Sequence, residues 1–227
     1  MPSLLQSYRN PAFAVVGIGA SAGGPEACQR LFDTISAKTG MAFILVQHLD
    51  PGHPSMMAEL LAGHTGMTVA QAVEGVQVEP NHLYLIPPGK LMSYAGGKLH
   101  LSPAQTGQAL RLPFDQLLRS MAAELGPRAI AVVLTGTGAD GSASLADIRA
   151  AGGTVLVQDP VEAAFDGMPR NALATGQVAD VAPIVGLAAA LEVLANTAPS
   201  AHAEEDAPAT LADISAPSRR SNKDAAE

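Results

Sequence analysis

Three short segments carry residue types suited to acyl-transfer chemistry. The first is Gly17-Ile18-Gly19-Ala20-Ser21-Ala22-Gly23-Gly24, between an apolar run and a helix-like stretch. Gly19 to Gly23 spells G-x-S-x-G. In such a turn small neighbours let the serine hydroxyl project above the strand ends, and the following backbone N–H groups face a developing oxyanion. The second is His48, after the next apolar run. A neutral imidazole within hydrogen-bond reach of Ser21 could take its proton. The third is Thr135-Gly136-Thr137-Gly138-Ala139-Asp140-Gly141. Asp140 could hold the imidazole in its productive tautomer, or it could serve only as the N-cap of the helix that follows. The chain order Ser, His, Asp differs from the α/β-hydrolase order of Ser, Asp or Glu, then His, so a triad here implies a different fold.

The glycine-rich segment has two further readings. One is a dinucleotide loop, in which glycines let the backbone approach a pyrophosphate at a helix N-terminus. That loop needs an acid about 20 residues on, at the end of the second strand, and two residues before its third glycine. Here the second run ends in Gln47-His48, Asp50 comes later before Pro51-Gly52, and three residues precede the third glycine. The other reading is a turn needed only for helix–strand packing. His48-Leu49-Asp50-Pro51-Gly52-His53 holds two imidazoles and a carboxylate, but its spacing matches no helical zinc motif. His64, His82 and His100 are scattered and read as surface or satisfied polar residues. Cys28 reads as a small buried hydrophobe, and Met56, Met57 and Met92 as core rather than groove.

These segments need elements that bring them to one place. Short apolar runs at residues 12–18, 41–46, 129–134 and 154–157 are expected as strands. Helical spacing marks 25–36, 55–62, 114–125, 142–150, 169–175 and 186–195. Strands separated by helices predict a doubly wound α/β fold with a mostly parallel sheet. All three candidate residues then sit on loops at the carboxyl ends of strands, where such sheets bind ligands. The middle is expected to be a small antiparallel hairpin insertion, with strands at 69–72, 83–86, 91–94 and 98–101 and a turn at Gly96-Gly97. Residues 103–112 read as a polar loop. Asp166-Gly167-Met168-Pro169-Arg170 forms another punctuated loop, with Pro169 suited to a first helical turn.

Composition narrows the function classes. The chain has 227 residues, 48% hydrophobic and 15% charged, enough to bury a core. A net charge of -8 disfavours a general nucleic-acid partner, which needs a basic face. One cysteine excludes an internal disulfide framework and a cysteine-rich zinc site. Apolar runs are too short and broken for membrane insertion as a spanning helix, so a cytoplasmic protein is expected. From about residue 196 the chain turns to Ala, Pro, Ser, Asp and Glu, which reads as a disordered tail or linker. The expected division is an N-terminal extension at 1–12, a catalytic domain at 13–195 and the tail at 196–227.

Taken together, Gly17 to Gly24, Val46-Gln47-His48, Leu134 to Gly141 and Phe165-Asp166-Gly167-Met168-Pro169-Arg170 resemble the catalytic domain of the chemotaxis receptor methylesterases, the CheB type. The resemblance implies a serine esterase that demethylates γ-glutamyl methyl esters on the cytoplasmic helices of chemoreceptors, with deamidation of receptor glutamines as an accompanying activity. It implies Ser21 as nucleophile, His48 as general base and Asp140 as orienting acid. The oxyanion donors would be the backbone N–H groups of Ala22 and Thr137. Gly138, Met168 and Pro169 would line the pocket, and neither a metal nor another cofactor is implied. Ala22 stands where the family usually has Thr, and Thr137 where it often has Met. About a dozen residues precede the first expected strand, so no receiver domain, and no control through one, is expected within the chain. The sequence looks most like the module that opens fused methylesterase–methyltransferase proteins, which makes a methyltransferase module a candidate partner. Two other classes stay open: a nucleotide- or dinucleotide-binding module, and a catalytically weak receptor-interaction domain.

Overall fold

The structure, a computed structural model, describes residues 13–47, 56–104 and 112–197. The strands are β1 (Val15–Ala20), β2 (Ala42–Gln47), β3 (Thr68–Gln71), β4 (Val76–Gln77), β5 (His82–Leu85), β6 (Lys90–Ala95), β7 (Lys98–Pro103), β8 (Ala129–Val133), β9 (Thr154–Gln158) and β10 (Asp180–Ala182). The helices are α1 (Gly24–Thr34), α2 (Met57–Ala62), α3 (Pro113–Leu125), α4 (Leu145–Ala150), α5 (Gly167–Ala174) and α6 (Ile184–Thr197). Seven strands form a parallel sheet in the order β10-β9-β8-β1-β2-β5-β3, and β4, β7 and β6 form a small antiparallel sheet. The expected α/β class and mostly parallel sheet are therefore present. The expected tail and N-terminal extension lie outside the described residues, apart from Asn196 and Thr197, which close α6.

The middle of the chain corrects one expectation. The strands expected at 69–72 and 83–86 are not part of the antiparallel insertion: β5 pairs parallel to β2, and β3 pairs parallel to β5. The reason is burial. Leu83, Tyr84 and Leu85 are all buried, as an interior parallel strand covered on both faces requires. Only the later pair, β6 and β7, with β4 beside it, forms the antiparallel unit.

Strand alternation sorts the core into two layers. Ala42, Ile44 and Val46 of β2, Ala129, Ala131 and Val133 of β8, and Val155 and Val157 of β9 face α3, α4, α5 and the small sheet. Val16 and Ile18 of β1, Phe43 and Leu45 of β2, and Ile130 and Val132 of β8 face α1, α2 and α6. On the first face β1 offers Val15 and then glycines at 17 and 19, so α3 approaches closely at the carboxyl end of the strand. A Cβ on Gly19 would lie 2.2 Å from the Phe114 ring, and one on Gly141 would lie 2.3 Å from the same ring. Phe114, in the first turn of α3, thus seats between the end of β1 and the loop after β8. α3 is also tied to β6, since Ser120 accepts the Tyr94 N–H at 2.9 Å and Glu124 accepts the Gly96 N–H at 3.2 Å.

The Phe114 seat gives a stability test. Gly19→Ala overpacks a buried ring, at a cost of about 1–3 kcal/mol. In a domain of this size that lowers the melting temperature by about 2–12 °C. An unchanged melting temperature would show that Phe114 is not held as described.

Candidate active site

From β1 the chain runs to β2, then to β3 at the sheet edge and back to β5 between those two, before it returns to β8 on the other side of β1. The strand order reverses there, and in open α/β sheets the carboxyl ends at such a point leave a crevice for a ligand. Ser21 and the 135–141 loop lie at the carboxyl ends of β1 and β8.

Ser21 follows the last residue of β1 and is half-buried. Its N–H donates to the Thr135 carbonyl at 3.0 Å, and its own carbonyl accepts from the Gly24 N–H at 2.8 Å. Gly23, left-handed at φ 74°, lets the turn enter α1. A trans peptide points its N–H opposite to its C=O. With the Ser21 carbonyl turned toward Gly24, the Ala22 N–H of the same peptide points away from the first turn of α1. The facing loop repeats the device: the Gly136 carbonyl accepts the Met168 N–H at 2.9 Å, which turns the Thr137 N–H away from the first turn of α5. Among the described residues neither the Ala22 nor the Thr137 N–H has a hydrogen-bond acceptor. The two loops are in contact, since a Cβ on Gly136 would come 2.9 Å from the Ser21 Cβ.

Asp140 is 5% exposed. Its Oδ2 accepts the Phe114 N–H and its Oδ1 the Asp115 N–H, both at 3.1 Å. The capping role left open by the sequence therefore falls on a different helix. Asp140 caps α3, whose preceding residue, Leu112, supplies no side-chain cap, and not the helical segment after Gly141. A helix N-terminus favours the negative charge placed there. Asp115 answers in kind. Its Oδ1 accepts the Ser144 N–H at 2.9 Å, and its carbonyl accepts the Ser144 hydroxyl at 3.0 Å. These cross-links bridge 25 or more residues, and nothing in the sequence pattern announces them.

His48 follows β2 directly and lies outside the described residues, as do Asp50 and His53. Gln47, buried, stands at the end of β2 where a ribose-holding acid would be needed. Met168 and Pro169 are buried in the first turn of α5, and Gly138 is exposed, its carbonyl accepting the Asn171 side-chain N–H at 2.6 Å. His64 pairs with Asp33 and His100 with Glu74, each at 2.9 Å, and His82 meets the Pro80 carbonyl at 3.0 Å. Cys28 is fully buried, and that burial pushes its thiol up to about 12, so it is protonated at neutral pH and unsuited as a nucleophile. Among the described residues no group of three His, Cys, Asp or Glu side chains could hold a metal ion. No helix among them is long and apolar enough to cross a membrane.

A parallel α/β sheet with a serine turn and a buried aspartate on adjacent loops at its switch point defines the class. The chain belongs to the CheB methylesterase family, whose model, described as CheB methylesterase, matches residues 16–191. It is 37% identical over 185 residues to the protein-glutamate methylesterase/protein-glutamine glutaminase 1 of Myxococcus xanthus, covering 80% of this chain and 54% of that one. The protein-glutamate methylesterase FrzG of Myxococcus xanthus is 34% identical over 182 residues, again 80% of this chain and 54% of the relative. The crystal structure of the Thermotoga maritima CheB methylesterase catalytic domain superposes with a TM-score of 0.74 at 26% identity, covering 80% of this chain and 98% of that one. The chain thus spans about half the length of the curated methylesterases it matches.

The α3 cap gives a test that a purely chemical role for Asp140 would fail. Asp140→Ala leaves two N–H groups of α3 without their acceptor, and losing a cap of this kind costs about 0.5–2 kcal/mol. The melting temperature should fall, and fall less in Asp140→Asn, which keeps one acceptor oxygen. Equal melting temperatures for wild type and Asp140→Ala would remove the capping role.

Proposed function

We propose that this chain hydrolyses γ-glutamyl methyl esters on the cytoplasmic helices of chemoreceptors. The observation that carries the reading is the paired orientation of the Ala22 and Thr137 N–H groups beside the Ser21 turn. Two N–H groups turned away from their own helices suit an oxyanion that forms above a nucleophile between them. The family membership and the names of the Myxococcus xanthus relatives point to the same chemistry.

The Ser21 hydroxyl attacks the ester carbonyl while His48 takes its proton. The tetrahedral oxyanion is held by the Ala22 and Thr137 N–H groups. As it collapses, the C–O bond to the methoxy group breaks and His48 protonates the departing methanol. A glutamyl ester of Ser21 remains. Water, deprotonated by the same imidazole, attacks it and releases the glutamate carboxylate and free Ser21. Asp140 stabilises the imidazolium formed on the way. The same sequence on a glutamine side chain expels ammonia, so deamidation is part of the proposal, in keeping with the glutaminase activity in the relatives' names. In this reading residues 13–195 form the catalytic domain, the protein acts in the cytoplasm, and a methyltransferase module is a candidate partner.

Ser21→Ala should leave the fold and its melting temperature intact. It should reduce methanol release from a methylated receptor by about 10⁴-fold or more, as removal of a triad member commonly does. Turnover at the wild-type rate in that variant would overturn the assignment.

A further inference from the structure

Ser21 and the oxyanion peptides are set by backbone bonds, and one buried side-chain brace holds those bonds in register. Thr135 lies between the two turns and is 1% exposed. Its carbonyl accepts the Ser21 N–H at 3.0 Å. Its hydroxyl proton is offered to the Ala22 carbonyl at 3.1 Å and the Phe165 carbonyl at 3.2 Å, while the hydroxyl oxygen accepts the Phe165 N–H at 2.9 Å. That single hydroxyl therefore touches the nucleophile turn and the segment leading into α5. Phe165 also accepts the Gly136 N–H at 2.9 Å, one peptide before Thr137.

Thr135 is itself held from below. Its N–H donates to Oε1 of Gln158, at the end of β9, at 2.8 Å. Gln158 is 1% exposed, and its amide N–H reaches Glu162 at 3.3 Å. Glu162 accepts the Ile184 N–H at 2.7 Å and pairs with Arg30 of α1. Burial raises the Glu162 carboxyl, but the Ile184 N–H, Arg30 and Gln158 together hold it below its usual range. It is thus an ionised anchor for the Gln158 amide.

We propose that Thr135 and Gln158 are positioning residues of the reaction: they touch no reacting atom, and they fix the spacing between the Ser21 turn and the Thr137 peptide. The inference rests on the hydrolase reading of the site. A shift of about 1 Å in such a spacing can cost about 100-fold in rate.

The test compares the rate at which a fluorophosphonate probe labels Ser21, followed by mass spectrometry, with methanol release from a methylated receptor. Thr135→Val keeps the shape and removes the hydroxyl. It should slow labelling and kcat by about 10- to 100-fold with KM changed by less than about threefold. Thr135→Ser, which restores the hydroxyl, should recover most of the rate. Gln158→Met, which removes the acceptor for the Thr135 N–H, should slow labelling in the same direction, and it decides the matter if Thr135→Val does not fold. A structural role alone would lower the melting temperature and leave the labelling rate of the folded protein unchanged. Wild-type labelling rates in Thr135→Val and Gln158→Met, or a Thr135→Ser as slow as Thr135→Val, would overturn the proposal. If wild type is labelled at Ser21 but releases no methanol, the substrate reading fails, and the labelling comparison still decides the brace. A wild type that takes no label overturns both.

Discussion

One backbone hydrogen bond, from the Ser21 N–H to the Thr135 carbonyl, joins the two turns on which the site is built. It spans β1 and β8, neighbours in the sheet that lie more than a hundred residues apart in the chain. A buried N–H left without an acceptor is costly, so this contact is held by the same accounting that holds the sheet. The Ser21 turn and the 135–141 loop keep a fixed separation, and each loop orients its own N–H through the carbonyl of the same peptide.

Packing on one face of the sheet supports that contact. Beyond Val15, Gly17 and Gly19 leave one face of β1 without side chains, α3 moves in, and Phe114 fills the space beneath both turns. The N-terminus of α3 arrives at the Asp140 carboxylate as a consequence. The aspartate thus serves the fold as a cap in the same place where the proposed chemistry uses it as an orienting acid. A group with both duties is fixed in position before any substrate binds, which is what preorganisation of a triad acid requires.

Much of this was legible in the sequence, for local reasons. Residues 41–46 and 129–134 are near-continuous apolar runs, as interior parallel strands must be, and the Ser21 and Asp140 turns announce themselves by glycine on either side. The helix of α3 was visible in the spacing of Leu117, Leu118, Met121 and Leu125, all buried in the structure. What failed was partner choice. β3 and β5 looked like hairpin strands because no helix separates them and a true hairpin follows at Gly96-Gly97. Only the burial of Leu83, Tyr84 and Leu85 on both faces places β5 beside β2. The Asp140 cap on α3 and the Gln158 support under Thr135 were not legible at all. Each is a side chain meeting a backbone N–H more than twenty residues away, and no periodicity encodes such a meeting.

In the proposed mechanism Ser21 carries the acyl group between two half-reactions. The most direct measurement is a single turnover of a methylated receptor in water enriched in ¹⁸O, quenched in acid and analysed by peptide mass spectrometry. A covalent attachment centred on Ser21 is expected at early times, with ¹⁸O later found in the released glutamate carboxylate and none in the methanol. Heavy oxygen in the methanol, or turnover with no covalent species on Ser21 at any time, would contradict it.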